Sequence, residues 1–147
     1  MRAILPAAVA ALLALPAVAA DPPLAYGVSG APVGWSDFLA RRGPVAVLVW
    51  ASWAPAAAEV LDRDEELSRA ARERGLQMVL LDVQEPLEDA RRALDGSGLE
   101  WIHDRHGALL KTYRVIAVPS VIIVSPQGEA LARLDPSPKA VRDWKPK

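Results

Sequence analysis

The chain has 147 residues, 52% of them hydrophobic, with 17 basic and 18 acidic side chains for a net charge of −1, and it contains no cysteine. That length and apolar fraction suffice for one domain with a substantial core. The absence of thiols excludes disulfides, thiolate nucleophiles and an acylated lipoprotein anchor, and the interspersed charges offer no stripe for nucleic acid or an anionic membrane.

Residues 1–20 read as a secretory signal peptide. Arg2 is the only charge, an Ala- and Leu-rich run follows, and Ala17-Val18-Ala19-Ala20 supplies the small residues of a cleavage site before Asp21-Pro22-Pro23. An uncleaved anchor is the competing reading, but alanine is weakly hydrophobic and Pro6 and Pro16 interrupt the run. The chain is therefore expected to be exported, periplasmic or secreted, with no membrane association once the leader is removed. Residues 21–34, rich in Pro, Gly and small side chains, read as an N-terminal arm with at most a short hairpin, 24–28 against 31–33.

The domain proper is expected over residues 35–147. Ser36 stands where it would N-cap a short helix over 37–42, stopped by Gly43-Pro44. Val45–Trp50 is apolar on both faces and reads as a central parallel strand. Residues 55–74 are strong helix formers and are expected to make the longest helix, with Pro55 in its first turn and Gly75 as a left-handed C-cap. Residues 76–83 form a second buried strand, 86–94 a short helix, 100–102 a brief edge strand and 108–113 another short helix. Ser125-Pro126-Gln127-Gly128 is turn chemistry between strands 120–124 and 129–134, and in the proline-broken tail only 139–144 is expected to make a helical turn. Alternating strands and helices closed by a hairpin predict an α/β fold with a mixed sheet.

Three stretches, in this order, carry a resemblance. The first runs from Ser36-Asp37-Phe38 through Pro44-Val45-Ala46-Val47 to Trp50-Ala51-Ser52-Trp53; the second is Tyr113-Arg114-Val115-Ile116-Ala117-Val118-Pro119-Ser120; the third is Val121-Ile122-Ile123-Val124-Ser125-Pro126-Gln127-Gly128-Glu129. Over residues 30–134 the chain resembles the thioredoxin-like superfamily, most closely the exported TlpA-type thiol–disulfide oxidoreductases. The resemblance implies a three-layer α/β/α sandwich with a mixed central sheet and a C-terminal hairpin, and a cis-proline at Pro119 opposite the redox motif. It also implies cysteines where Ala54 and Ala57 stand. A dithiol enzyme needs one thiolate to attack and a second thiol to resolve the mixed disulfide, and this chain has neither. Val47-Leu48-Val49 likewise carries no acid where some members keep a buried carboxylate for proton transfer. Ala56 and Ala58 also replace residues the family commonly fills with proline and a polar side chain, which favours natural drift over deliberate replacement of the two cysteines.

No catalytic residue, cofactor or metal is assigned. What the resemblance leaves is a surface: Trp53, Ala54 and Pro55 at the degenerate motif, with Val118 and Pro119 on the facing loop, whose backbone is free to pair with an extended chain. The expected partner is a protein or extended peptide in the exported compartment, and Trp50 is expected in the core. Two alternatives stay open: a thiol–disulfide oxidoreductase by family membership, and a small-anion binder using the N–H groups of residues 54–57. His103 and His106 with Asp104 between them have metal-like spacing, but no further ligand completes such a site. Ser52 lacks the strand–elbow–helix context of a hydrolase nucleophile. The charged run from Glu59 to Arg69 reads as a solvated helix face.

Overall fold

Val45–Trp50 is buried at all six positions, so both faces of this strand are covered. The computed structural model describes residues 24–147, and the expected signal peptide lies outside them. In chain order the elements are β1 (Leu24–Tyr26), β2 (Pro32–Gly34), α1 (Trp35–Ala40), β3 (Val45–Trp50), α2 (Ala57–Leu61), α3 (Asp64–Glu73), β4 (Gln77–Val83), α4 (Leu87–Ala93), β5 (Trp101–Asp104), α5 (Ala108–Thr112), β6 (Ser120–Val124), β7 (Ala130–Leu134) and α6 (Pro138–Asp143). The seven strands form one mixed sheet in the order β2-β1-β5-β4-β3-β6-β7. β3, β4 and β5 run parallel, while β6 returns antiparallel to β3. Helices complete an α/β sandwich around a core that includes Leu39, Leu48, Leu67, Leu80, Leu109 and Ile123. Among the described residues no helix is long and apolar enough to cross a membrane.

Four local expectations are corrected. The helix expected as one piece over residues 55–74 is two, because Asp62 and Arg63 close the first on the carbonyls of Ala58 and Val60 and Leu67 starts the second on Arg63. Asp64, Glu65 and Glu66 then occupy the positive first turn of α3, and Asp64 Oδ2 accepts from the Ser97 hydroxyl, fixing that start. The break lets α3 bury Leu67, Ala70 and Ala71 on the sheet. Pro55 lies in a turn outside α2, since Ala56, left-handed at φ 59°, is the residue that caps it.

Ser36 is inside α1 rather than at its cap, and Gly34 is the N-cap. Starting two residues earlier brings Trp35 into the core, where its indole N–H donates to the Tyr113 hydroxyl at 2.7 Å. The strand expected at a sheet edge, β5, is interior. The short hairpin of the arm does form, and β1 pairs with β5 through Tyr26 and His103, so the arm covers what would otherwise be an open edge. Gly75 at φ 70° takes the left-handed conformation expected of it.

Candidate functional site

The strand register gathers the expected site at one end of the sheet. Trp50 lies opposite Asp82, Val49 opposite Ser120 and Val83 opposite Asp104, so the chain leaving β3 at residue 51, the turn after β4, the turn after β5 and the loop entering β6 all meet there. Trp50 is core, its indole N–H donating to the Ala57 carbonyl at 2.9 Å. Trp53 is 54% exposed and its indole N–H donates to the Gln84 carbonyl at 3.1 Å. Pro55 is exposed, whereas Ala54 and Ala57 are 7% and 3% exposed and lend the surface little area. On the facing loop Val118 and Pro119 are half-buried and joined by a cis peptide bond.

Ile116, on that same loop, is 99% exposed. It was not among the residues expected at the site, and its signal in the sequence is weak: a β-branched residue in a loop beside the proline. Behind it a groove of about 530 Å³ runs between the loop, the β6–β7 hairpin and α6, lined by Ile116, Pro119, Ile122, Leu134 and Trp144. A second cavity, about 660 Å³, lies near Arg42 and Glu100 and includes none of the expected site residues.

Beneath the surface is a polar network that the sequence reading also missed. Asp82 is fully buried on β4 next to His103 on β5. His103 Nδ1 lies 2.7 Å from Asp82 Oδ2. Burial pushes the Asp82 carboxyl up to about 10, helped by its hydrogen bond to Glu85 and that neighbour's charge. Burial also lowers His103, with Arg105 adding to the effect, so the imidazole is neutral at pH 7. Glu85 moves the other way. Partial burial opposes its ionisation, but hydrogen bonds from Asp82 and from the Ser52 amide and hydroxyl hold it below the usual carboxylate range. The Ser52 amide is 2.8 Å from Glu85 Oε1, and its hydroxyl donates to Oε2. β3 carries no acid, and the buried carboxylate lies on its neighbour β4. The available signal was the lone acid in an apolar run, Met78-Val79-Leu80-Leu81-Asp82-Val83.

Asp104, His106 and Ser52, also singled out in the sequence, each have a structural partner. Asp104 accepts from the Leu109 and Leu110 amides at the start of α5, and His106 meets the Tyr26 ring edge-on. His103, Asp104 and His106 therefore point to three different partners. The Ser52 hydroxyl donates to the Glu85 carboxylate and not to an imidazole. The Ala54 and Ala57 amides donate to the Ala51 and Ala54 carbonyls at 3.1 Å each, leaving those two groups nothing to offer an anion.

The sequence matches no family model and no curated protein. Among solved structures it is similar to a secreted Mycobacterium tuberculosis disulfide oxidoreductase homologous to E. coli DsbE, at 16% identity over 76% of this chain and 81% of that one, with a TM-score of 0.57. It is similar to StoA from Bacillus subtilis, at 16% identity over 75% and 84% of the two chains, with a TM-score of 0.59. A third is the exposed lipoprotein thioredoxin Etrx1 of Streptococcus pneumoniae, at 24% identity over 80% and 93%, with a TM-score of 0.58. Similarity at this level of identity speaks to the fold and not to the chemistry. The chain has a thioredoxin-like α/β fold and no cysteine with which to perform dithiol exchange.

Proposed function

We propose that this chain is an exported, redox-inactive relative of the TlpA-type oxidoreductases that binds a protein or extended peptide through the face formed by Trp53, Ala54, Pro55, Val118 and Pro119. The observation that carries the reading is the exposed apolar area at this end of the sheet, where Trp53 is 54% exposed on the loop leaving β3 and Ile116 99% exposed on the loop entering the adjacent β6. Large apolar side chains held in water at one place are a common mark of a contact surface, and tryptophan is among the residues most enriched at binding hot spots. Retention of this face needs no sulfur. An oxidoreductase role by family membership is disfavoured by the chain itself, and purified protein is expected to leave insulin disulfides intact under conditions where a dithiol enzyme reduces them.

The test is a photo-crosslinking residue at the exposed Pro55 and a control at Glu66 on the solvent side of α3, applied to the exported fraction of the native cell. A discrete adduct is expected from position 55 and not from position 66, and it should disappear in Trp53→Ala and Ile116→Ser. An adduct of undiminished yield in both variants would overturn the assignment of this face.

A further inference from the structure

Among the described residues, Asp82 Oδ1 is the one buried side-chain oxygen or nitrogen without a hydrogen-bond donor. Its other oxygen lies 2.7 Å from His103 Nδ1, and the Asp82 carboxyl also meets Glu85, itself an acid. Two carboxyl groups share a hydrogen bond only when one of them carries the proton. The surroundings decide which. Glu85 is half-buried and already receives the Ser52 amide and hydroxyl, an arrangement that favours its charged form. A charge on fully buried Asp82 would have at most one imidazole N–H to balance it.

We propose that Asp82 holds a proton on Oδ1 and donates it to Glu85, and that Glu85, held in this way, is a positioning residue that fixes the Ser52–Trp53 turn as the rim of the binding face. The inference rests on the binding role proposed above. The chain of donors then runs without a gap: His103 Nδ1–H to Asp82 Oδ2, Asp82 Oδ1–H to Glu85, and Ser52 N–H and Oγ–H to the two Glu85 oxygens. The turn is held a second time by the Trp53 indole on the Gln84 carbonyl. Gln84 is left-handed at φ 55°, a conformation an L side chain adopts at some cost, and it brings Glu85 back toward the strand end it has just left.

Removing the Asp82 proton sets two carboxylates side by side with little solvent between them, so Glu85 is repelled and Ser52 loses its acceptor. The group next to the pair is His103 on β5, and the charged groups acting on His103 in turn are Asp104 beside it and Arg105 and His106 in the turn after it, with Tyr26 of β1 paired to it in the sheet. Trp50 of β3, opposite Asp82, adds no charge.

Carbon-13 NMR of the side-chain carboxyls in the full chain reads the Asp82 proton directly, and the Ser52 amide and Trp53 indole shifts read the turn. Asp82 is expected to be protonated at neutral pH and to ionise only near pH 10. Asp82→Asn, whose amide accepts from His103 and donates to Glu85, should keep both turn shifts at their wild-type positions, and Glu85→Ala should displace both. An ionised Asp82 at neutral pH overturns the proposal. So does a Glu85→Ala turn that stays in place, or an Asp82→Asn turn displaced as far as that of Glu85→Ala. None of these signals involves a partner, so failure of the binding face, seen as crosslinking indifferent to Trp53, is distinguishable from failure of the proton-held turn.

Discussion

Burying Asp82 as a neutral acid makes stability depend on pH in the sense opposite to that of an ion-paired carboxylate. Its proton is retained up to about pH 10 in the folded chain, against 3.8 for an unperturbed aspartate. Between those limits the folded state binds a proton that the unfolded state has released, so this group's contribution is complete in acid and is lost as pH rises, at up to roughly 1.4 kcal/mol per pH unit. Glu85 and His103, both lowered, act the other way, and their contributions are lost as pH falls through their folded-state values. Asp82→Asn is therefore expected to gain on wild type steadily from neutral to alkaline pH in urea denaturation. A constant offset between the two proteins would contradict the neutral acid. Tyr113 makes a second residue-scale case. Its hydroxyl accepts from the Trp35 indole at 2.7 Å and donates to the Gly128 carbonyl at 2.9 Å. Tyr113→Phe leaves both without that partner in a largely buried setting and is expected to cost about 1–3 kcal/mol, measured by the same method.

At the scale of elements, short helices are defined by what holds their ends. α5 has five residues, too few to persist by propensity, and Asp104 satisfies its Leu109 and Leu110 amides from the end of β5. Asp104→Ala should therefore cost about 1–2 kcal/mol, with the loss of protection in hydrogen exchange concentrated in residues 108–113. α2 begins from Ala56 in the left-handed region, a conformation glycine adopts without a Cβ penalty. Ala56→Gly is expected to be stabilising by roughly 0.5 kcal/mol, the relieved strain being partly offset by the greater entropy of the unfolded chain. The end of α3 was legible in the sequence, because Gly75 follows a run of strong helix formers. The break before α3 was not, because Asp62 and Arg63 are tolerated in a helix and the turn is set by packing on β4 and by the Asp64–Ser97 contact.

For the molecule as a whole, the arm matters more than its composition indicates. β1 closes the open side of β5, and Ala25, in the middle of β1, is fully buried. Without residues 24–34 the backbone of β5 would be an unpaired edge flanked by buried side chains, the arrangement most prone to pair with another chain. Truncation before Trp35 is expected to lower the urea midpoint and to produce concentration-dependent association in size-exclusion chromatography, while a monomer of unchanged midpoint would show the hairpin to be dispensable.

Much of this protein is written locally. Val45–Trp50 announces a doubly covered strand because six apolar residues in succession have no polar face to offer water, and the hairpin after it is set by Pro126 and Gly128 in the turn. The absence of dithiol chemistry needs no structure at all, since a chain without cysteine has no thiolate to form. The tertiary structure alone decided that β5 is interior, that Ala54 is covered while Ile116 stands in water, and that Asp82, Glu85, His103 and Ser52 form one network. These depend on strand order and register, which bring together residues from four separate stretches of chain. Periodicity and turn chemistry act over a few neighbours and carry no information about which distant strand lies alongside.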